Sequence, residues 1–95
     1  MKQLAVSKHF QNQLKKLHTQ EREKAVTILK GFLHALQEGK IPHGYGFKKI
    51  NGDKYEIRVA IRIRIVMKAE GDLLVCHLIG NHDDVKRYLG EYRNR

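Results

Sequence analysis

Tyr55-Glu56-Ile57-Arg58-Val59-Ala60-Ile61-Arg62-Ile63-Arg64-Ile65-Val66-Met67 has an apolar residue at every odd position, with Glu56, Arg58, Arg62 and Arg64 at even ones. In an extended chain successive side chains leave opposite faces, so this stretch carries one apolar face and one cationic face. A cationic face suits a polyanion. At about 3.4 Å per residue an unbroken strand of this length would run over ~40 Å, against a usual strand of about 5 or 6 residues. Two adjacent strands with a tight connection near Ala60, Ile61 and Arg62 are therefore expected.

The flanks extend the sheet in both directions. Upstream, Asn51-Gly52-Asp53 is a hairpin signal, with a strand expected over residues 47–50 that brings Lys48 and Lys49 to the sheet of the arginines. Downstream, Glu70-Gly71-Asp72 turns the chain into residues 73–79, an almost continuous apolar run of the kind found in a central strand. His77 interrupts that run and reads as a core histidine satisfied by a partner. Gly80 then ends the strand. Asn81 and Asp84 have capping-box spacing for a final helix on which Val85, Tyr88, Leu89 and Tyr92 share a face, and the tail from Tyr92 onward is too short and polar to be expected to order.

Before the sheet the period changes from two to three and four. Residues 2–6 form an opening strand, and Ser7 caps a helix with Phe10, Leu14 and Leu17 on one face. Thr19 offers a second cap, followed by Ala25, Ile28, Leu29, Phe32, Leu33 and Leu36 at amphipathic helical spacing. Gly39 ends that helix and Pro42 discourages its resumption. Lys8, Lys15, Lys16, Arg22, Lys24 and Lys30 read as solvated charge on the outer faces of the two helices, and Tyr45 as an anchor of the glycine-rich loop over residues 39–46. The expected fold class is α+β: a two-helix antiparallel hairpin packed on a small antiparallel sheet of three to four strands, with a short C-terminal helix and the basic face of the sheet open. One domain, residues 1–95, accommodates all of it.

Nineteen Lys and Arg against ten Asp and Glu leave a formal charge of +9, which favours phosphate or an acidic partner. The one cysteine, Cys76, cannot close an internal disulfide and is expected to be a buried thiol of an intracellular protein. With no signal peptide and no run approaching 18 apolar residues, the expectation is a soluble cytoplasmic chain without a membrane partner. The six histidines lack metal-ligand spacing, so neither metal nor cofactor is expected. The only serine is a cap, and phosphate and dinucleotide loops are absent from the sequence.

What remains is arginines on adjacent strands, the carboxylate of Glu56, and His82 and Tyr88 beyond the last strand. That set suits cleavage of RNA, whose own 2′-hydroxyl is the nucleophile. The protein then has to orient it, stabilise the charge on phosphorus and move two protons. Arginine forks two donors onto phosphate without deprotonating, and histidine exchanges a proton near neutral pH. Glu56 is either an acceptor for the 2′-hydroxyl proton or a counter-ion between bases. Lys48, Lys49 and Arg62 are candidate RNA contacts.

Tyr55-Glu-Ile-Arg-Val, then Arg64-Ile-Val, then Leu78-Ile-Gly-Asn-His-Asp-Asp-Val-Lys-Arg-Tyr88 resemble, in their order and spacing, the RelE/ParE superfamily of bacterial type II toxins. The resemblance covers nearly the whole chain. It implies a compact toxin held by a cognate antitoxin. RelE-like members are metal-independent ribonucleases that cut mRNA, commonly on the ribosome, whereas ParE-like members poison DNA gyrase. By position it makes Arg58 and Arg64 the residues that contact the scissile phosphate, sets His82 where ribonuclease members carry Arg or His, and matches Tyr88 to a functional tyrosine. Two features depart from the pattern: Ala60-Ile61-Arg62 has no residue suited to positive φ, and Glu56 replaces a lysine of some ribosome-dependent members. An mRNA interferase inhibiting translation, a non-catalytic gyrase inhibitor and a basic nucleic-acid-binding module all stay open.

Overall fold

The computed structural model describes residues 2–93, with side chains as far as Gly90. The side chain of Tyr92, expected on the apolar face of the last helix, and residues 94 and 95 of the tail lie outside this description. Along the chain run β1 (Gln3–Val6), α1 (Lys8–Lys16), α2 (Thr19–Glu38), a 3-10 turn (His43–Tyr45), β2 (Lys48–Asn51), β3 (Lys54–Arg58), β4 (Arg64–Glu70), β5 (Leu73–Gly80) and α3 (His82–Arg93). The fold is α+β, as expected, but the sheet has five strands in the order β1-β5-β4-β3-β2 and is not wholly antiparallel. β1 lies parallel to β5, with Gln3 opposite Leu73 and Val6 opposite Cys76. Counting hairpins along the sequence could not reveal that pair, because its two strands are joined through the rest of the molecule.

Local chemistry fixes the element ends. Ser7 accepts from the Phe10 amide at 3.0 Å, and Gly39 closes α2 at φ 77° with its amide donating to the carbonyls of Ala35 and Leu36. The cap of α2 is His18 rather than Thr19: its carbonyl accepts from Arg22 at 2.8 Å, so Thr19 already lies within the first turn. The turn between the arginine strands falls at the expected place and spans residues 59–63. The Ile63 amide donates to the Ala60 carbonyl at 3.3 Å and the Val59 amide to the Ile63 carbonyl at 2.9 Å. Among the described residues only glycines have positive φ, so this turn closes without the left-handed residue whose absence marked the sequence.

The odd positions of the deciding stretch, apart from Ile61 at the tip of the turn, do build the main core. Ile57, Ile65 and Met67 pack with Leu74, Cys76 and Ile79 under Phe10, Ala25, Phe32 and Leu36 of the helices. The opposite face is not fully open. Val66 and Leu78 form a second core with Val85, and Ile50, Tyr88 and Leu89 pack against it, so α3 covers part of that face. Ala60 and Val66 are the apolar residues among the even positions, and Val66, within β4, needs a cover.

A bulge makes this second core possible. Val66 pairs with Leu78 but Met67 with Cys76, which leaves His77 as an extra residue in β5. Leu74 and Cys76 therefore face the helix pair, Leu78 faces α3, and Ile79 returns to the main core. His77 is not the satisfied core residue expected: its Nε2 is buried without a hydrogen bond, and Glu70 Oε2 lies 3.6 Å away. Among the described residues no helix is long and apolar enough to cross a membrane.

Candidate nucleic-acid interface

Pairing across β3, β4 and β5 assembles the site. Arg58 lies opposite Arg64, and Arg64 opposite Gly80, two residues before His82. Arg58, Arg64 and the start of α3 thus meet at one end of the sheet. Arg58 is exposed, and among the described residues its guanidinium has no ion pair or hydrogen bond. Gly46, at φ 60°, lies against it, where an added Cβ would come 3.4 Å from Arg58 Cβ.

Arg64 is more heavily engaged. Its Nη1 donates to the carbonyls of Ala60, Ile61 and Ile63 at 2.8, 3.2 and 3.3 Å, and its Nε lies 3.5 Å from Glu56 Oε2. Arg64 therefore braces the turn that presents Arg62, which is exposed beside Ile61 at the tip. Glu56, its side chain 14% exposed, also lies 4.0 Å from Lys48 Nζ. Of its two readings, the contacts favour a counter-ion bridging Arg64 and Lys48. Lys49 lies with Lys48 in β2, on the sheet of the arginines as expected; it pairs with Tyr55, and partners in a ladder share a face. Tyr55 packs on the main core, so Lys49 belongs to the side away from Lys48, Glu56 and the arginines.

An aromatic row supports the strands from behind. Phe47 stacks on Tyr55 with ring centroids 5.3 Å apart, and Phe32 meets Phe47 at 5.2 Å and Tyr45 at 5.7 Å. The Tyr45 hydroxyl sits where a side chain on Gly31 would begin. Tyr45 is thus an anchor for its loop, as read.

His82 is the exposed first residue of α3. The helix is set by the anticipated capping box: Asn81 Oδ1 accepts from the Asp84 amide at 2.8 Å, and Asp84 Oδ2 from the Asn81 amide at 2.9 Å. Tyr88 lies almost two turns along, half-buried over Val66 and Leu78. It lines a cleft of about 260 Å³ between α1 and α3, together with His9, Gln13, Leu78, Asp84 and Arg87. His9, Gln13 and Arg87 had no signal in the sequence, since only the tertiary fold brings α1 to α3. Cys76 takes no part in chemistry: burial pushes its thiol up to about 12.

No protein-family model matches the chain, and no curated protein matches it in sequence. Solved structures do match. A chain of the RelB-RelE antitoxin-toxin complex from Methanococcus jannaschii superposes with a TM-score of 0.67 at 19% identity, covering 88% of this chain and 96% of that one. The Escherichia coli DinJ-YafQ toxin-antitoxin complex gives 0.65 at 19% identity, with 90% and 98% covered. The Staphylococcus aureus YoeB-YefM complex gives 0.62 at 15%, with 86% and 98% covered. At these identities the likeness is one of fold, and the chain has the fold of RelE-like toxins.

Proposed function

We propose that this protein is the toxin of a bacterial type II toxin-antitoxin system, a cytoplasmic endoribonuclease that cuts mRNA presented on the ribosome. The observation that carries this reading is the meeting of Arg58, Arg64 and the His82 segment at one end of the sheet. A scissile phosphate there meets guanidinium groups beside an imidazole. The 2′-oxygen attacks phosphorus, the bond to the 5′-oxygen breaks, and the products are a 2′,3′-cyclic phosphate and a 5′-hydroxyl. Arg58 stabilises the extra charge on phosphorus. Arg64, held by the turn carbonyls and by Glu56, supplies a second fixed donor set. His82 takes the proton of the 2′-hydroxyl or gives one to the leaving 5′-oxygen, and solvent water carries the other proton. Glu56 acts mainly by orienting Arg64, and Lys48 and Arg62 extend the cationic surface for the flanking strand. Tyr88 lies farther along α3, where it contacts a neighbouring base rather than the phosphate.

The resemblance to solved toxin-antitoxin complexes supports a cognate antitoxin as partner. An acidic or amphipathic segment lying over the arginine end would block RNA. The test of the reaction is an RNA carrying one 2′-deoxy nucleotide at the mapped cut. Cleavage there is expected to stop while the all-ribose control is cut on the same ribosomes. Cutting that persists at the deoxy position rules the mechanism out.

One observation favours a second reading. Arg64 is committed to the turn and to Glu56, which leaves less free acid-base chemistry than a nuclease uses. A ParE-like protein that docks this surface on DNA gyrase needs only the charge. Supercoiling inhibited with messages intact would select it.

A further inference from the structure

We propose that the cleft between α1 and α3 is a subsite for one nucleobase of single-stranded RNA, an extension of the ribonuclease reading and dependent on it for the identity of the strand. Its volume, about 260 Å³, falls below the ~300–1,000 Å³ of drug-sized sites and fits a single base rather than a longer segment.

The walls have the chemistry a base requires. Leu78 and the half-buried Tyr88 form an apolar floor, one of them an aromatic ring of the kind on which bases stack. Gln13 Oε1 accepts from the Ile79 amide at 3.1 Å, which fixes the amide orientation and leaves its NH₂ group as donor. That bond exists because β1 ends opposite Cys76, so the Ile79 amide meets α1 instead of a strand. Arg87 is held at the rim, its Nη1 3.4 Å from Asp84 Oδ1, while the capping box fixes Asp84 itself. His9, exposed on α1, offers an imidazole on the opposite wall. The Asp84 carboxylate already accepts from Arg87 and from the Asn81 amide, so the Gln13 amide and the Arg87 guanidinium are left to meet the carbonyl and ring-nitrogen acceptors of a base edge.

The location fits a strand already bound elsewhere. β5 lies two strands from β3, about 10 Å at the usual spacing of ~4.8 Å, so the cleft and the arginine end flank α3 from two sides. A strand whose phosphate rests on Arg58 passes the first turn of α3 and can seat a neighbouring base beside Tyr88.

The experiment is an NMR titration of the full chain with guanosine monophosphate and with ribose 5-phosphate, run beside an RNA cleavage assay. Guanosine monophosphate is expected to shift the resonances of His9, Gln13 and Arg87, and ribose 5-phosphate to leave them still. His9→Ala and Arg87→Ala, both at exposed positions, are expected to weaken the nucleotide response about fivefold or more, the lower end of one lost polar contact to a base edge. Equal shifts from ribose 5-phosphate, or a cleft that stays silent in a protein that cuts RNA, overturn the subsite. A cleft that binds the nucleotide in a protein that cuts nothing supports the subsite and removes the ribonuclease reading instead.

Discussion

Arg58 and Arg64 sit opposite each other, yet their surroundings give them different work. Arg64 satisfies three turn carbonyls and a half-buried acid, whereas Arg58 is exposed. Arg64→Ala is therefore expected to lose about 1–2 kcal/mol, the scale of charged hydrogen bonds discounted for partial exposure. Arg58→Ala should stay within ~0.5 kcal/mol of the parent while losing RNA cleavage. Urea unfolding beside a cleavage assay separates them, and equal destabilisation by both would contradict this division. Cys76 supplies a pH dependence. Its thiol is raised from 9.0 to about 12 in the folded protein, so the unfolded chain releases the proton first. The stabilisation is whole below pH 9 and is lost as pH rises toward 12, at up to about 1.4 kcal/mol per pH unit. Stability of the parent should fall more steeply between pH 9 and 10.5 than that of Cys76→Ala, and parallel slopes would exclude the thiol as cause. At this scale the alternation of residues 55–67 made the arginine face legible. The commitment of Arg64 to Ala60 and Ile63 was not, because a turn's carbonyls carry no sequence signal.

Among the elements, α3 departs most from the sequence reading, although its cap and apolar face were both visible. Val85, Tyr88 and Leu89 were legible as a stripe, but what they cover depends on the bulge at His77. Residues 73–76 are apolar at every position, so no period remained there to show which residue faces which layer. The parallel β1–β5 pair was hidden for a related reason: sequence separation of 70 residues between partners defeats hairpin logic. The element-scale prediction concerns the cap. Asn81→Ala removes the acceptor for the Asp84 amide and should cost about 1 kcal/mol. Gly80→Ala should cost more, because its Cβ would lie 2.7 Å from Asp84 Cβ. Amide exchange across residues 82–90 reads both, and unchanged protection in the two variants would mean that packing alone holds α3.

For the whole molecule, two layers of helix enclose the sheet unequally. The α1–α2 side holds the larger core, and α3 screens only part of the other, so the arginine end stays exposed beside the helix that carries His82. A formal charge of +9 favours a polyanion at this surface, and the β3–β4 turn and the α3 cap give it shape. The most direct test of the central claim is primer extension on messenger RNA in a reconstituted translation reaction. It compares the antitoxin-free protein with Arg58→Ala and His82→Ala, with and without ribosomes. The account predicts discrete cuts that require ribosomes and disappear in both variants. Intact messages under conditions where the protein still arrests growth would contradict it and direct the search to gyrase.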